Sequence, residues 1–169
     1  MPGLIDAHTH IMFASLPKNL ALTADLTFVT INPTREAERM LMRGFTSIRD
    51  VGGPSLGMKA AIDAGLVPGP RIWSSGAMIS QPGGHGDFPL PTELPAEAGA
   101  MSYSERIGAA MIADDEATVR KRVREQLALG ATQIKMMAGG GVSSNFDPLD
   151  VTQFSVSELR AAVEAAENW

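Results

Sequence analysis

The chain alternates strand-like and helix-like segments four times, and this alternation limits its fold more than any other feature of the sequence. Strand-like segments are short apolar runs beside glycine or proline, whereas helix-like segments carry apolar residues at helical spacing. The strand-like segments are 3–10, 45–50, 71–79 and 132–137. The helix-like segments are 32–43, 55–64, 114–129 and 157–169. Such alternation predicts parallel strands joined by right-handed crossovers.

The length of the chain limits which parallel α/β architecture it can complete. With 169 residues, it is shorter than the roughly 200 residues that an eight-stranded (β/α) barrel normally needs. The alternation therefore fits either an open doubly wound sheet or the first half of such a barrel. We expect one domain over residues 1–169, with a glycine- and proline-rich loop insertion at about 80–113. Insertions of this length are usually functional or mobile.

The composition argues against several classes of protein. A net charge of −5 and a pI near 5.1 disfavour a nucleic-acid partner. No apolar stretch approaches the roughly 20 residues of a membrane-spanning helix, so no membrane partner is expected. The chain has no cysteine, and residues 1–16 lack the pattern of a secretory signal. These features predict a cytoplasmic protein.

All three histidines fall at or just after the ends of predicted strands, where α/β folds place their active sites. His8 and His10 are two residues apart on the first strand, so both imidazoles leave the same face, about 6.5 to 7 Å apart along the backbone. Side chains of this length can converge on one metal ion at about 2.0 to 2.1 Å. The alternative is a pair of ordinary strand-end histidines.

The surrounding residues favour the metal site over that alternative. Segment 2–10, Pro-Gly-Leu-Ile-Asp-Ala-His-Thr-His, closely resembles the first-strand signature of the amidohydrolase superfamily, and segment 133–141 matches the end of its fourth strand. Residues 49–53, 81–87 and 138–143 resemble the imidazolonepropionase-like and Xaa-Pro or Xaa-Arg dipeptidase-like subgroup. The resemblance implies an α/β fold made of the first four βα units of a TIM-like (β/α)8 amidohydrolase barrel, truncated after them.

The resemblance also implies that Lys135 is a metal ligand, because many binuclear members carry a lysine carboxylated by carbon dioxide at this point. A lysine between Ile134 and Met136 near the protein interior is unfavourable as a lone cation, and burial lowers its pKa. The resulting neutral amine can take up carbon dioxide, and the two oxygens of the carbamate can bridge two cations. Alternatively, Lys135 reaches solvent from the end of a strand.

Two further polar residues lie near these candidate ligands. His85 stands in the glycine-rich segment 81–87 of the insertion, and we expect it to contact substrate rather than metal. The alternative for His85 is an exposed loop histidine. Asp6 shares a strand face with His8, and a role as a buried capping carboxylate is favoured over a role in supporting the metal ligands.

The function implied by the resemblance is that of a metal-dependent hydrolase that cleaves an amide or peptide-like C–N bond with metal-activated water, a dipeptidase being one option. His8, His10 and Lys135 would hold two divalent ions, expected to be zinc. The family's other ligands and its catalytic base lie beyond Trp169, so we expect no catalytic residue within this chain. We therefore predict that the chain is a fragment of such an enzyme and is inactive in isolation. The substrate of the enzyme is expected to be a small molecule or a dipeptide-like compound.

Two other functions fit parts of the sequence. The chain would also suit a non-catalytic half-barrel that binds metal or assembles with a partner, because open strand edges need covering. Its partner would be a further copy of the chain, in a homo-oligomer, or the remainder of the barrel. A doubly wound domain that binds phosphate at the glycine runs 52–53 or 139–141 is a weaker alternative, since neither run has the spacing of a nucleotide-binding motif.

Overall fold

The computed structural model of the chain describes residues 2–94 and 99–169. The strands are β1 Leu4–Thr9, β2 Phe45–Asp50, β3 Arg71–Ser74, β4 Met78–Ser80 and β5 Ala110–Ile112. The helices are α1 Lys18–Thr23, α2 Leu26–Met42, α3 Leu56–Asp63, α4 Tyr103–Arg106, α5 Glu116–Ala128 and α6 Val156–Glu167, and a 3-10 turn covers Pro91–Glu93. In the part of the chain that the structure describes, no helix is long and apolar enough to cross a membrane.

The strands pair in parallel in two small sheets, which confirms the predicted parallel α/β class. The first sheet has the order β1-β2-β3, and the second pairs β4 with β5. Segment 132–137, which follows α5, adds one parallel bridge to β4, between Ile79 and Met136. The prediction of a regular fourth strand over 132–137 is therefore wrong in detail. The segment runs alongside β4 through two backbone hydrogen bonds to Ile79, each 2.9 Å long.

The predicted third strand, 71–79, is broken into β3 and β4 at Gly76. Gly76 has φ +64°, and its N–H donates to Ser74 Oγ at 3.0 Å. The next N–H, that of Ala77, donates to Gln126 Oε1 of α5 at 2.9 Å. The chain turns at this point, so that β4 pairs with β5 instead of continuing beside β2. The strand β5 lies inside the segment 80–113, where the sequence predicted only a loop.

Helix α2 begins at Leu26, six residues before the helix-like segment 32–43 that the sequence predicted. Its N-cap is Asp25, whose carboxylate accepts a hydrogen bond from Thr27 N at 2.9 Å. Pro33 lies inside the helix, where it removes one backbone hydrogen bond. Pro33 is nevertheless buried on the same face as Val29 and Ala37. Burial of this apolar face offsets the lost hydrogen bond, which local sequence reasoning did not anticipate.

Within the described ranges 2–94 and 99–169, helices cover one face of the first sheet and leave the other face open. One core cluster joins this sheet to α2 and α3, and its buried members are Ile11, Met12, Ala37, Met40, Ile48, Met58 and Ile72. A second core joins β4 to α5 and α6: Ile79, Ala113, Val119, Val123, Phe154, Ala161, Ala162 and Ala165. On the open face, Ile5 is 72% exposed and Trp73 is 50% exposed. A doubly wound sheet would carry helices on both faces, so this one-sided arrangement disfavours that alternative.

Candidate active site

His8 and His10 lie together at the end of β1. Their ring centroids are 5.6 Å apart, with an angle of 70° between the ring planes. His8 is exposed and His10 is half-buried. The carboxylate of Asp6 accepts a hydrogen bond from the backbone N–H of His8 at 3.0 Å. Asp6 is half-buried rather than buried, and this contact caps the strand end locally.

The ring of His10 is held by the loop that follows β2. Its Nδ1 lies 3.3 Å from the carbonyl oxygen of Gly52. A carbonyl only accepts hydrogen bonds, so Nδ1 carries the proton and Nε2 is left for a ligand. Burial lowers the pKa of His10, and the charges of His8, Lys135 and His85 lower it further, while the Gly52 contact opposes them. His10 is therefore kept in the neutral form that binds metal ions.

Lys135 belongs to the segment that bridges to β4, and it is half-buried. Burial lowers the pKa of its amine, and the nearby charge of Arg49 lowers it further. Among residues 2–94 and 99–169, no three His, Cys, Asp or Glu side chains form a group that could hold a metal ion. Two imidazoles and one amine of lowered pKa fit a divalent metal chemically, and they supply only part of a ligand set.

His85 is fixed by a loop that the sequence singled out only for its glycines. Its Nδ1 lies 2.9 Å from Ser144 Oγ and 3.8 Å from Asp147 Oδ2, and its backbone N–H donates to Gln153 Oε1 at 3.0 Å. Its ring presses against Gly141, where a Cβ would lie 1.9 Å from His85 Cε1. Sequence reasoning missed Ser144, Asp147 and Gln153. The run of glycines at 139–141, which permits close backbone approach, was the available signal.

A cavity of about 260 Å³ adjoins His10 and His85. Its other lining residues are Phe13, Leu16, Lys18, Ala21, Leu22, Met78, Phe88, Ser104, Ala109, Met137 and Ser143. Most of these side chains are apolar. At the rim, Lys18 Nζ donates to Asn145 Oδ1 at 2.7 Å, which ties α1 to the loop that holds His85. The two histidines therefore lie at the edge of an apolar pocket suited to a small ligand.

Asp50 anchors the chain directly after His10. Its fully buried carboxylate accepts hydrogen bonds from Ile11 N at 2.7 Å and from Ser55 Oγ at 2.5 Å. Ser55 Oγ also lies 2.7 Å from Ser74 Oγ. This network joins the ends of β1, β2 and β3 to the start of α3. Asp50 lies in segment 49–53, which resembles the family subgroup, but this role of its carboxylate was not predicted from the sequence.

The Asp50 carboxyl gives a testable dependence of stability on pH. Burial raises its pKa to about 6, although hydrogen bonds from Ser55 and Ile11 oppose the shift. The folded chain therefore binds this proton more tightly than the unfolded chain, whose Asp pKa is about 3.9. The contribution of Asp50 to stability is fully present below pH about 4 and is lost as pH rises through about 6.

Asp50→Asn is expected to remove this dependence. Relative to wild type, the free energy of unfolding of the variant should rise by roughly 2 to 3 kcal/mol between pH 4 and pH 7. Urea denaturation at several pH values measures it. Asp150→Asn, which removes an exposed carboxyl, is the control. Parallel stability curves for wild type and Asp50→Asn would show that Asp50 does not titrate in this range.

The chain is similar to known proteins in sequence and in fold. Ochratoxinase of Aspergillus niger is 38% identical over 174 residues, covering 98% of this chain and 36% of the relative. A prolidase crystallised with N-methylphosphonate-L-proline has a TM-score of 0.88 and 43% identity, covering 99% of this chain and 41% of that one. A Xaa-Pro dipeptidase with methionine bound in its active site has a TM-score of 0.78 and 28% identity, with coverages of 99% and 41%.

The chain thus spans about two fifths of the length of the proteins that it matches. Within that span the likeness is continuous, and the A. niger ochratoxinase structure also superposes, with a TM-score of 0.83 and 34% identity over 99% of this chain and 41% of that one. The family model described as "Amidohydrolase family" matches residues 1–169. From its sequence, its parallel fold and these matches, the chain belongs to the amidohydrolase family.

Proposed function

We propose that this chain forms part of the active site of a metal-dependent hydrolase that cleaves an amide or peptide-like C–N bond. The observation that carries the proposal is the placement of His8 and His10 at the end of β1, with rings 5.6 Å apart and with His10 lining an apolar cavity. Its relatives include an ochratoxinase and a prolidase. The parallel strands with helices on one face fit the wall of a TIM-like barrel.

The complete enzyme, in this proposal, contains the further barrel elements that its longer relatives contain. The open face of the first sheet, with Ile5 and Trp73 exposed, would become the barrel interior and be covered by those elements or by a second copy of the chain. Residues 1–169 would then form one partial domain, with the segment 80–113 as its loop insertion. Further ligands and a catalytic base would come from the additional elements.

The proposed ligands are His8, His10 and a carboxylated Lys135, and the proposed metals are two divalent ions, with zinc as the expected species. When bound, the ions would supply the Lewis acidity that amide hydrolysis needs at neutral pH. His10 offers a neutral Nε2, because its Nδ1 faces Gly52. The lowered pKa of Lys135 favours the free amine. That amine would form an N–C bond to carbon dioxide and lose one proton, which gives an anionic oxygen ligand.

The proposed substrate has an apolar group next to the scissile bond. Most side chains that line the cavity are apolar, among them Phe13, Leu22 and Phe88, so its walls favour an apolar group. His85 is proposed to contact the polar part of the substrate at the cavity edge. The names of the relatives agree with a dipeptide-like amide, since the bound ligand of the prolidase is a proline derivative.

Zinc titration tests the metal site directly. We expect His8→Ala and His10→Ala each to weaken zinc binding by more than about tenfold. Even residues that only hydrogen-bond to metal ligands change metal affinity by about tenfold or more when they are replaced. Isothermal titration at neutral pH measures the affinity. His85→Ala is the matched control, since His85 is proposed to touch substrate and should leave zinc affinity unchanged. Unchanged affinity in both His8→Ala and His10→Ala would disprove the assignment of this pair as ligands.

A further inference from the structure

The contacts of Ser144 determine which nitrogen of His85 carries a proton. Ser144 Oγ donates to the carbonyl oxygen of Gly141 at 3.1 Å, and the carboxylate of Asp147 is a second acceptor in its reach. A hydroxyl has a single proton, and both of these groups only accept. Towards His85 Nδ1, at 2.9 Å, Ser144 Oγ is therefore left as an acceptor. With the Ser144 proton directed to one of these acceptors, the contact places a proton on Nδ1 of His85.

Asp147 reinforces the same arrangement electrostatically. Its side chain is only 2% exposed, and Oδ2 lies 3.8 Å from His85 Nδ1. The same oxygen accepts a hydrogen bond from Gly141 N at 2.9 Å. Burial acts to raise the pKa of Asp147, but the neighbouring Ser144 hydroxyl and the N–H of Gly141 outweigh it and lower the pKa, which keeps the carboxylate ionised. A negative charge beside Nδ1 favours the protonated form of that nitrogen.

One oxygen of the Asp147 carboxylate is left without a hydrogen bond in the part of the chain that the structure describes. Oδ1 is buried and has no hydrogen-bond partner among the described residues. A buried carboxylate oxygen without a partner is unfavourable, and such exceptions call for a specific explanation. The contact of the other oxygen with the His85 loop supplies one. The carboxylate is held where it acts on the imidazole.

We propose that Ser144 and Asp147 are positioning residues that fix the proton of His85 on Nδ1, so that Nε2 is presented to the cavity as a hydrogen-bond acceptor. The ring lines the cavity, and Nδ1 is engaged by the loop, which leaves Nε2 for a ligand. An N–H or O–H group of the substrate is the chemistry that this nitrogen would bind. The inference rests on the proposed function only in assigning that ligand as substrate.

Nuclear magnetic resonance of the complete enzyme labelled with ¹⁵N-histidine tests the proton position without any need for activity. Long-range ¹⁵N–¹H correlations distinguish the two tautomers, and His85→Gln identifies the signals of His85. We expect wild type to hold the proton on Nδ1. Ser144→Ala and Asp147→Asn should populate the Nε2–H form as well. Ser144→Thr keeps the hydroxyl and should restore the wild-type pattern, and Asp150→Asn is the control on the same loop.

Kinetics on an apolar dipeptide such as Leu-Phe then test the link to substrate. We expect kcat/KM to fall by roughly 10- to 100-fold in Ser144→Ala and Asp147→Asn, as for other residues that orient a functional histidine. The kcat/KM of Ser144→Thr should stay near that of the wild type, because threonine keeps the hydroxyl. A disturbance of packing alone would not spare the threonine variant in this way.

A wild-type His85 with its proton on Nε2 would overturn the inference, whether or not the enzyme is active. If the tautomers respond as expected while His85→Gln keeps full kcat/KM, the positioning by Ser144 and Asp147 is supported. That result would instead contradict the proposed contact of His85 with substrate. Signals of His8 and His10 that stay unchanged in each variant show that the fold is intact.

Discussion

Replacing Lys135 by alanine is expected to reduce amide hydrolysis by the complete enzyme by about a thousandfold or more. The proposed carbamate joins two metal ions, and losing metal assistance removes several kcal/mol of transition-state stabilisation. Metal content measured on the purified variant should fall along with activity. Short carboxylic acids added with zinc are expected to restore part of the activity, because a free carboxylate can occupy the space of the lost ligand.

Lys121→Ala is the matched control for this experiment. Lys121 is an exposed lysine on α5 whose ion pair with Glu125 is 3.8 Å long, so its removal should change neither activity nor metal content. A crystal of the complete enzyme grown with metal and bicarbonate gives a second test. A plain amine at Lys135 that is directed to solvent, away from His8 and His10, would show that the lysine is structural and that two metals are not bridged there.

Substituting alanine for Gly141 is expected to have the second largest effect. The new Cβ would lie 1.9 Å from Cε1 and 2.2 Å from Nδ1 of His85, far inside van der Waals contact. The two groups cannot occupy the same space, so either the His85 ring leaves Ser144 or the loop shifts. We expect kcat/KM to fall by about 100-fold, in the range found when a catalytic group is misplaced by about 1 Å.

Gly57→Ala is the control for the glycine substitution. Gly57 lies in α3, and an added Cβ meets no atom within 4 Å. Alanine there should raise the free energy of unfolding by about 0.5 kcal/mol, because glycine is the weaker helix former, and should leave activity unchanged. Full activity in Gly141→Ala would mean that the position of the His85 ring does not matter for hydrolysis.

Several elements followed from local sequence because their signals are local. Strand β2 and helix α3 lie where apolar periodicity, glycine and proline predicted them, within one residue at each end. The α2 helix ends one residue before Arg43, and Gly44 takes φ +93°, the left-handed conformation that glycine adopts freely. Helix α5 begins after Asp115, whose carboxylate caps Thr118 N at 2.6 Å.

Other elements depended on partners distant in the sequence. The break at Gly76 is stabilised by the side chain of Gln126, which lies in α5, fifty residues further along the chain. Because the chain turns at this break, β4 can pair with β5. The start of α2 was missed because burial of Val29 and Pro33 outweighs the local preference of proline for a helix start. Segment 132–137 has a strand-like sequence pattern, but it pairs with β4 through a single bridge, at Met136. Whether such a segment forms a full strand depends on the backbone that lies beside it.

The sequence by itself determined the parallel α/β class, the family, and the spacing of His8 and His10 at the end of β1. These depend on residue order and on backbone periodicity, which are local quantities. Only the tertiary structure decided what surrounds each candidate side chain. The burial that shifts the pKa of His10, Asp50 and Lys135, and the packing of Ser144, Asp147 and Gly141 around His85, come from segments brought together by folding. Desolvation and hydrogen bonding act over a few ångströms in space, whatever the distance along the chain.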